Sequence, residues 1–450
     1  MKRIFLFLCS VAIIGCFSCK DGGGDSNPVT EKSEVLTHEE WIKKYAINVS
    51  STSPNDDNFL DLQPLKEKIG NSNIVLLGEQ SHGDGATFLA KTRLIKFLHK
   101  EMNFDVLLFE SGIYDCKKVN DFLQSGDAAY DAVSQGVFGI WTLSAQFQDL
   151  IQYIGANRNS LEIGGLDLQF SGKASRYFFI KDLEELLTEN NIDTNRFAVW
   201  ANIKKAIQKI SEYDFTPPTN AERANFNSQM NALINELRTK MSANSTLSKK
   251  IAFWIQVLEN VNVEANRDWE FYPYTNDLSA APKEIKDVRD IQMGKNLIWL
   301  AKEYYKGRKI IVWAATYHIV KNYSTVESSI ETALGDYKYL IRMGHYAWQE
   351  LQSQMYILGF TAYEGTYGSV ATTTPATLAK PQADSFEDLI YRSTLQNAII
   401  DFRSPQKGGE WLSEKRYCRP LGYVQQKADW SKIIDGIFYT RTMIPSVRAK

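Results

Sequence analysis

The sequence predicts an α/β fold: a mostly parallel central sheet flanked by helices, with a helical insertion as a cap and a C-terminal strand-rich part. Three observations predict it. The apolar runs Ile74-Val75-Leu76-Leu77, Val106-Leu107-Leu108-Phe109 and Ile310-Ile311-Val312-Trp313 are continuous rather than alternating. That is the pattern of strands buried on both faces, as in a parallel sheet covered by helices. Between the first two runs, Leu89, Leu94, Ile95 and Leu98 recur at helical spacing over 88–102, which completes a βαβ unit. Residues 173–266 are helix-periodic, broken sharply only at 214–220 by Pro217-Pro218.

The elements follow in order. Lys2 and Arg3 precede an almost continuous apolar run from Ile4 to Phe17, too short to span a bilayer comfortably as a helix. It ends at Gly15-Cys16 and Ser18-Cys19. A small residue directly before a Cys at the end of such a run resembles a bacterial lipoprotein signal, with Cys19 or Cys16 as the lipidated residue. An ordinary cleaved signal peptide is the alternative. Residues 1–19 are therefore expected to be an export signal. Lys20 to Thr30, rich in Gly and Asp, is expected to be a flexible tether, and 31–450 one α/β domain. An amphipathic helix is expected over 31–45. A third strand is expected at Leu161-Glu162-Ile163-Gly164-Gly165-Leu166, after a helix over 146–157. Within the insertion, helices are expected over 179–189, 197–213, 221–241 and 247–264. The chain returns to the sheet through a helix over 283–305 that Gly307 ends. Residues 340–402 are expected to hold alternating strands at 355–361 and 398–402.

Composition narrows the partners. A formal charge of −2 without a basic stripe argues against nucleic acid. Past the tether only Cys116 and Cys418 remain. They can pair in an oxidising compartment but make no disulfide framework, and neither has a zinc-ligand neighbour.

In open α/β sheets, ligands bind at the carboxyl ends of the strands. Four groups follow the four runs: Gly78-Glu79-Gln80-Ser81-His82-Gly83, Glu110-Ser111-Gly112, Asp167, and Ala314-Ala315-Thr316-Tyr317-His318. If the runs share one sheet, Glu79, His82, Glu110, Asp167 and His318 converge on one rim. Only five histidines exist in the chain, and two of them sit in these loops. His38 and His99 are expected to be solvated, and His345 is unassigned. A neutral imidazole takes a proton from water, and a neighbouring carboxylate fixes its tautomer and stabilises the imidazolium. The set therefore suits hydrolysis. No G-x-S-x-G nucleophile signature is present, and Cys116 has no local base.

These residues resemble the erythromycin esterase family. The resemblance rests on Leu77-Gly78-Glu79-Gln80-Ser81-His82-Gly83, the helix with Lys91-Thr92-Arg93-Leu94, Phe109-Glu110, Gly165-Leu166-Asp167-Leu168-Gln169 and Arg289-Asp290-Ile291-Gln292-Met293-Gly294-Lys295-Asn296. Val312-Trp313 through His318, Met343-Gly344, and Ile357 through Thr366 continue it. It runs from about Ile74 to Phe402. It implies water-mediated ester or macrolactone hydrolysis without a cofactor or a required metal, with macrolide antibiotics as the family's named substrates. His82 would be the base, Glu79, Glu110 and His318 would position or polarise water and substrate, and Lys91, Asp167 and Arg289 would contact substrate. Four positions depart from the family pattern, three of them losing an ionisable group: Ala86 and Gln146 stand where it carries Glu, Ala315 where it carries His, and Thr316 where it carries Asn. Three functions fit: an anchored hydrolase acting on a small-molecule ester or lactone in the periplasm or at the cell surface; a metal-dependent hydrolase whose ligands are Glu79, His82, Glu110 and His318; or a lipoprotein that binds a small ligand without turnover.

Overall fold

The computed structural model describes residues 36–170, 172–196, 200–241, 245–328 and 338–450. The export signal over 1–19, with Cys16 and Cys19, and the tether over 20–30 lie outside the described residues. Leu36–Lys450 is one compact unit.

Its centre is a sheet whose strands lie side by side in the order Ile47–Asn48, Asn397–Asp401, Gly436–Met443, Met355–Tyr367, Ile74–Leu77, Ile310–Trp313, Val106–Gly112 and Glu162–Asp167. Every neighbouring pair in this order is parallel except the two that Asn397–Asp401 makes, and the short strand Ala376–Thr377 adds an antiparallel pair to Met355–Tyr367 off this order. The four expected strands do share one sheet. Their continuous apolar character has a direct cause: Ile74 and Leu76 pack into one hydrophobic core, and Val75 and Leu77 into another on the opposite face.

The strand-rich C-terminal part joins this same sheet. Met355 to Ala362 is buried at every position rather than alternating, because it lies between Ile74–Leu77 and Gly436–Met443 and is covered on both faces. The strand Gly436–Met443 was not anticipated. Cys116 and Cys418 are each buried and free, so the possible disulfide is absent. The first described helix is His38–Tyr45, started by a capping box between Thr37 and Glu40. The expected start at 31 lies outside the described residues.

The insertion forms Lys173–Glu189, Trp200–Ser211, Asn220–Lys240 and Ser245–Phe271. These helices build their own core around Phe179, Leu183, Met230, Leu258 and Val261. The last of them reaches the sheet: Asn260 donates to the carbonyls of Asp167 and Leu168 at 3.3 and 3.2 Å, and Glu264 accepts from the Phe170 N–H at 2.8 Å. The insertion thus sits over the carboxyl end of Glu162–Asp167. The helix expected over 283–305 is Lys283–Trp299 followed by a wider π turn at Leu300–Tyr304.

Candidate active site

The loop after Ile74–Leu77 leaves the sheet between two neighbours. Gly78 donates to the Leu358 carbonyl at 2.9 Å, and the Glu79 carbonyl accepts from the Thr316 N–H at 2.8 Å. A Cβ on Gly78 would lie 2.3 Å from Thr316 Oγ1, so this close passage requires glycine. The turn delivers Glu79 into the interior with no exposed surface.

Both Glu79 oxygens are filled. Oε1 faces His82 Nδ1 at 2.7 Å and accepts from the Trp141 indole N–H at 2.9 Å. Oε2 accepts from Lys91 Nζ at 2.9 Å. Burial alone would raise the Glu79 pKa, but Lys91 and His82 hold it below the ordinary value. Lys91, expected to contact substrate, is instead fully buried, with its ammonium on Glu79 and 3.8 Å above the Trp313 ring. Burial pushes its pKa down to about 8 against the pull of Glu79.

His82 is the open end of this chain. Its side chain keeps 38% of its surface exposed, and among the described residues Nε2 has no protein partner. Burial lowers its pKa, but the bond to Glu79 and the field of Glu79 and Glu110 outweigh that and leave it raised.

A second cluster lies within electrostatic reach. Glu110 Oε1 accepts from Arg289 Nη2 at 3.0 Å and faces His318 Nε2 at 3.2 Å, while Oε2 accepts from the Ala315 N–H at 2.8 Å. Burial opposes ionisation of Glu110, but His318 and Arg289 hold its pKa far below the ordinary range. His318 Nδ1 bonds Asp290 at 2.8 Å. Against burial, these two carboxylates push its pKa up to about 10, so it is an imidazolium at neutral pH. Arg289 makes a two-point bond to Asp167, at 3.1 and 2.7 Å, from the helix Lys283–Trp299.

The structure thus brings together Glu79, His82 and Lys91 in one group, and Glu110, His318, Asp167 and Arg289 in the other. Asp290 and Trp141 were not singled out as site residues. Asp290 stands next to Arg289 in the quoted motif, and that adjacency was the available signal. Trp141 lies 62 residues from Glu79. His345 meets Asn322 and Gln349 and does not take the place that Ala315 leaves. His99 bonds Tyr153 and His38 stacks on Trp411, so neither is simply solvated. Among the described residues, no three His, Cys, Asp or Glu side chains form a group arranged to hold a metal ion.

The erythromycin esterase family model matches residues 99–442, most of the chain. This chain belongs to the erythromycin esterase family. Glu110, Asp167, Arg289 and His318 fall inside the matched span, whereas Glu79, His82 and Lys91 precede it. Similarity to single relatives runs over nearly full length. The chain is 24% identical to YbfO of Bacillus subtilis (strain 168), described as a hydrolase, over 100% of both chains. It is 23% identical to the type II erythromycin esterase of Escherichia coli, over 90% of this chain and 97% of that one. An erythromycin esterase mutant solved in its open conformation shares the fold with a TM-score of 0.65 at 16% identity, covering 87% of this chain and 96% of its own.

Proposed function

We propose that this family member hydrolyses a small-molecule ester or lactone, with His82 as the general base. One observation carries the reading: His82 is anchored through Nδ1 on a buried, ionised carboxylate while Nε2 stays open. With Nδ1–H donated to Glu79, the lone pair lies on Nε2. Nε2 takes a proton from water as the water oxygen bonds to the acyl carbon. The carboxylate stabilises the imidazolium so formed. The proton then passes to the departing alkoxide as the C–O bond breaks. Glu110 has its oxygens occupied by Arg289, His318 and the Ala315 N–H, so its part is to set the field over His82 rather than to carry a proton. A negative charge there favours the imidazolium.

The test is turnover of a panel of aryl esters and lactones by the protein starting at residue 31. Because the base works unprotonated and its pKa is raised, kcat/KM is expected to climb with pH through a midpoint above 6.5. A rate that is flat from pH 5 to 9, or no turnover beside intact ligand binding, overturns the reading. We also propose that the chain is exported and held by a lipid on Cys19 or Cys16. Palmitate labelling lost in one of the two Cys→Ala variants assigns the cysteine, and an unlabelled parent protein rejects the anchor.

A further inference from the structure

Beyond the last sheet strand, Gly436–Met443, the chain runs on as an extended segment against two loops. Toward the first loop, Ile444 accepts from the Gly85 N–H at 2.8 Å and Ser446 donates its N–H to the Gly83 carbonyl at 3.0 Å. Asp84 and Pro445 pair here as in an antiparallel bridge. Toward the second loop, the Val447 carbonyl accepts from the Ala145 N–H at 2.8 Å, and the Val447 N–H donates to Gln146 Oε1 at 3.0 Å. Ser446 Oγ meets Ser144 Oγ at 2.8 Å, and Ala449 donates to the Leu143 carbonyl at 2.8 Å.

The first loop carries His82 and the second follows Trp141. Those two side chains meet on the same atom, Oε1 of Glu79, at 2.7 and 2.9 Å. We propose that residues 444–447 are a positioning strap, which holds the His82 and Trp141 loops at the spacing that keeps both donors on Glu79.

Two features of the sequence acquire a reason. A Cβ on Gly85 would lie 2.5 Å from the Pro445 carbonyl oxygen, so the strap can lie this close only against glycine. Gln146 uses its side-chain oxygen to accept from the strap. On its other side the His82 loop is held by Asp84, whose carboxylate accepts from the Ser81 N–H at 2.7 Å and the Tyr423 hydroxyl at 2.8 Å. His82 itself belongs to no helix or strand, so its aim depends on these ties. A misplacement of about 1 Å in a catalytic group costs about 10²-fold in rate.

The inference rests on His82 acting as the base, and its test keeps the two claims apart. Ser446→Pro removes the N–H that bonds Gly83. Gln146→Leu removes the acceptor for Val447 and serves where Ser446→Pro does not fold. In the full chain, the imidazole titration of His82 is followed by NMR on histidine-labelled protein, with the signal assigned by its loss in His82→Ala. Loosening the bond to Glu79 is expected to lower the His82 midpoint from its raised position toward the free value of about 6.5. On a p-nitrophenyl ester, kcat is expected to fall about tenfold with KM within about twofold. A folded variant with an unmoved His82 titration overturns the strap, whatever its rate. If the titration moves but His82→Ala keeps its activity, the strap stands and the base assignment falls.

Discussion

Replacing His82 by alanine is expected to lower kcat by about 10²–10⁴-fold, the range that a positioned general base contributes. The fold should survive. His82 is partly exposed and makes one protein bond through its ring, to Glu79. Without it, Glu79 Oε1 still accepts from Trp141 and Oε2 from Lys91. The loss is a single charge-assisted bond, about 1.5–3 kcal/mol, visible as a modest drop in the thermal midpoint. KM should change little, because the imidazole acts on water rather than on the part of the substrate that binds. The distinguishing signature is the pH profile. The limb set by His82 should vanish from the residual activity, since the other imidazole of the site, His318, is held as a cation between Asp290 and Glu110. A variant retaining the parent rate and the parent limb rules His82 out as the base.

How much of this was legible in the sequence depended on how local each interaction is. Ile74–Leu77, Val106–Gly112 and Ile310–Trp313 were readable because burial on both faces leaves a run of apolar residues within one segment. Glu79, His82, Glu110, Asp167 and His318 were readable because parallel strands place their following loops on one edge. The strand Gly436–Met443 also packs on both faces, with Ile437 and Tyr439 on one side and Phe438 on the other. Its Thr-Arg-Thr end, at the open margin of the sheet, hid that pattern. The role of Lys91 was not readable. An isolated lysine in a helix reads as solvated or as a ligand group, and only Glu79, 12 residues earlier and across the strand–helix turn, makes it an interior cation. Most of the ties from 444–449 to 83–85 and 143–146 are backbone bonds between segments some 300–360 residues apart, and backbone bonds leave no side-chain signal.

Lys91→Met is expected to destabilise the protein by about 3–5 kcal/mol, the cost of removing one partner of a buried ion pair and leaving the other charged. Methionine fills much of the same volume, so the loss is electrostatic rather than a cavity. Glu79 would keep His82 and Trp141 but lose its one permanent cation, and the lysine's contact with the Trp313 face would go as well. With its largest opposing influence removed, burial should raise the Glu79 pKa, weakening its hold on the His82 imidazolium and lowering kcat. The double variant Glu79→Gln with Lys91→Met separates the two effects. It removes both buried charges at once, so much of the lost stability should return, as it does when buried pairs are replaced together. Activity should not return, because a neutral amide can hold the imidazole in place but cannot stabilise its positive charge. Urea midpoints and kcat measured on the parent, both single variants and the double variant give the coupling between the two residues. Additive losses of stability would show that Lys91 and Glu79 do not act as a pair. Recovered stability without recovered turnover would show that the buried ammonium serves chemistry through the carboxylate it holds ionised.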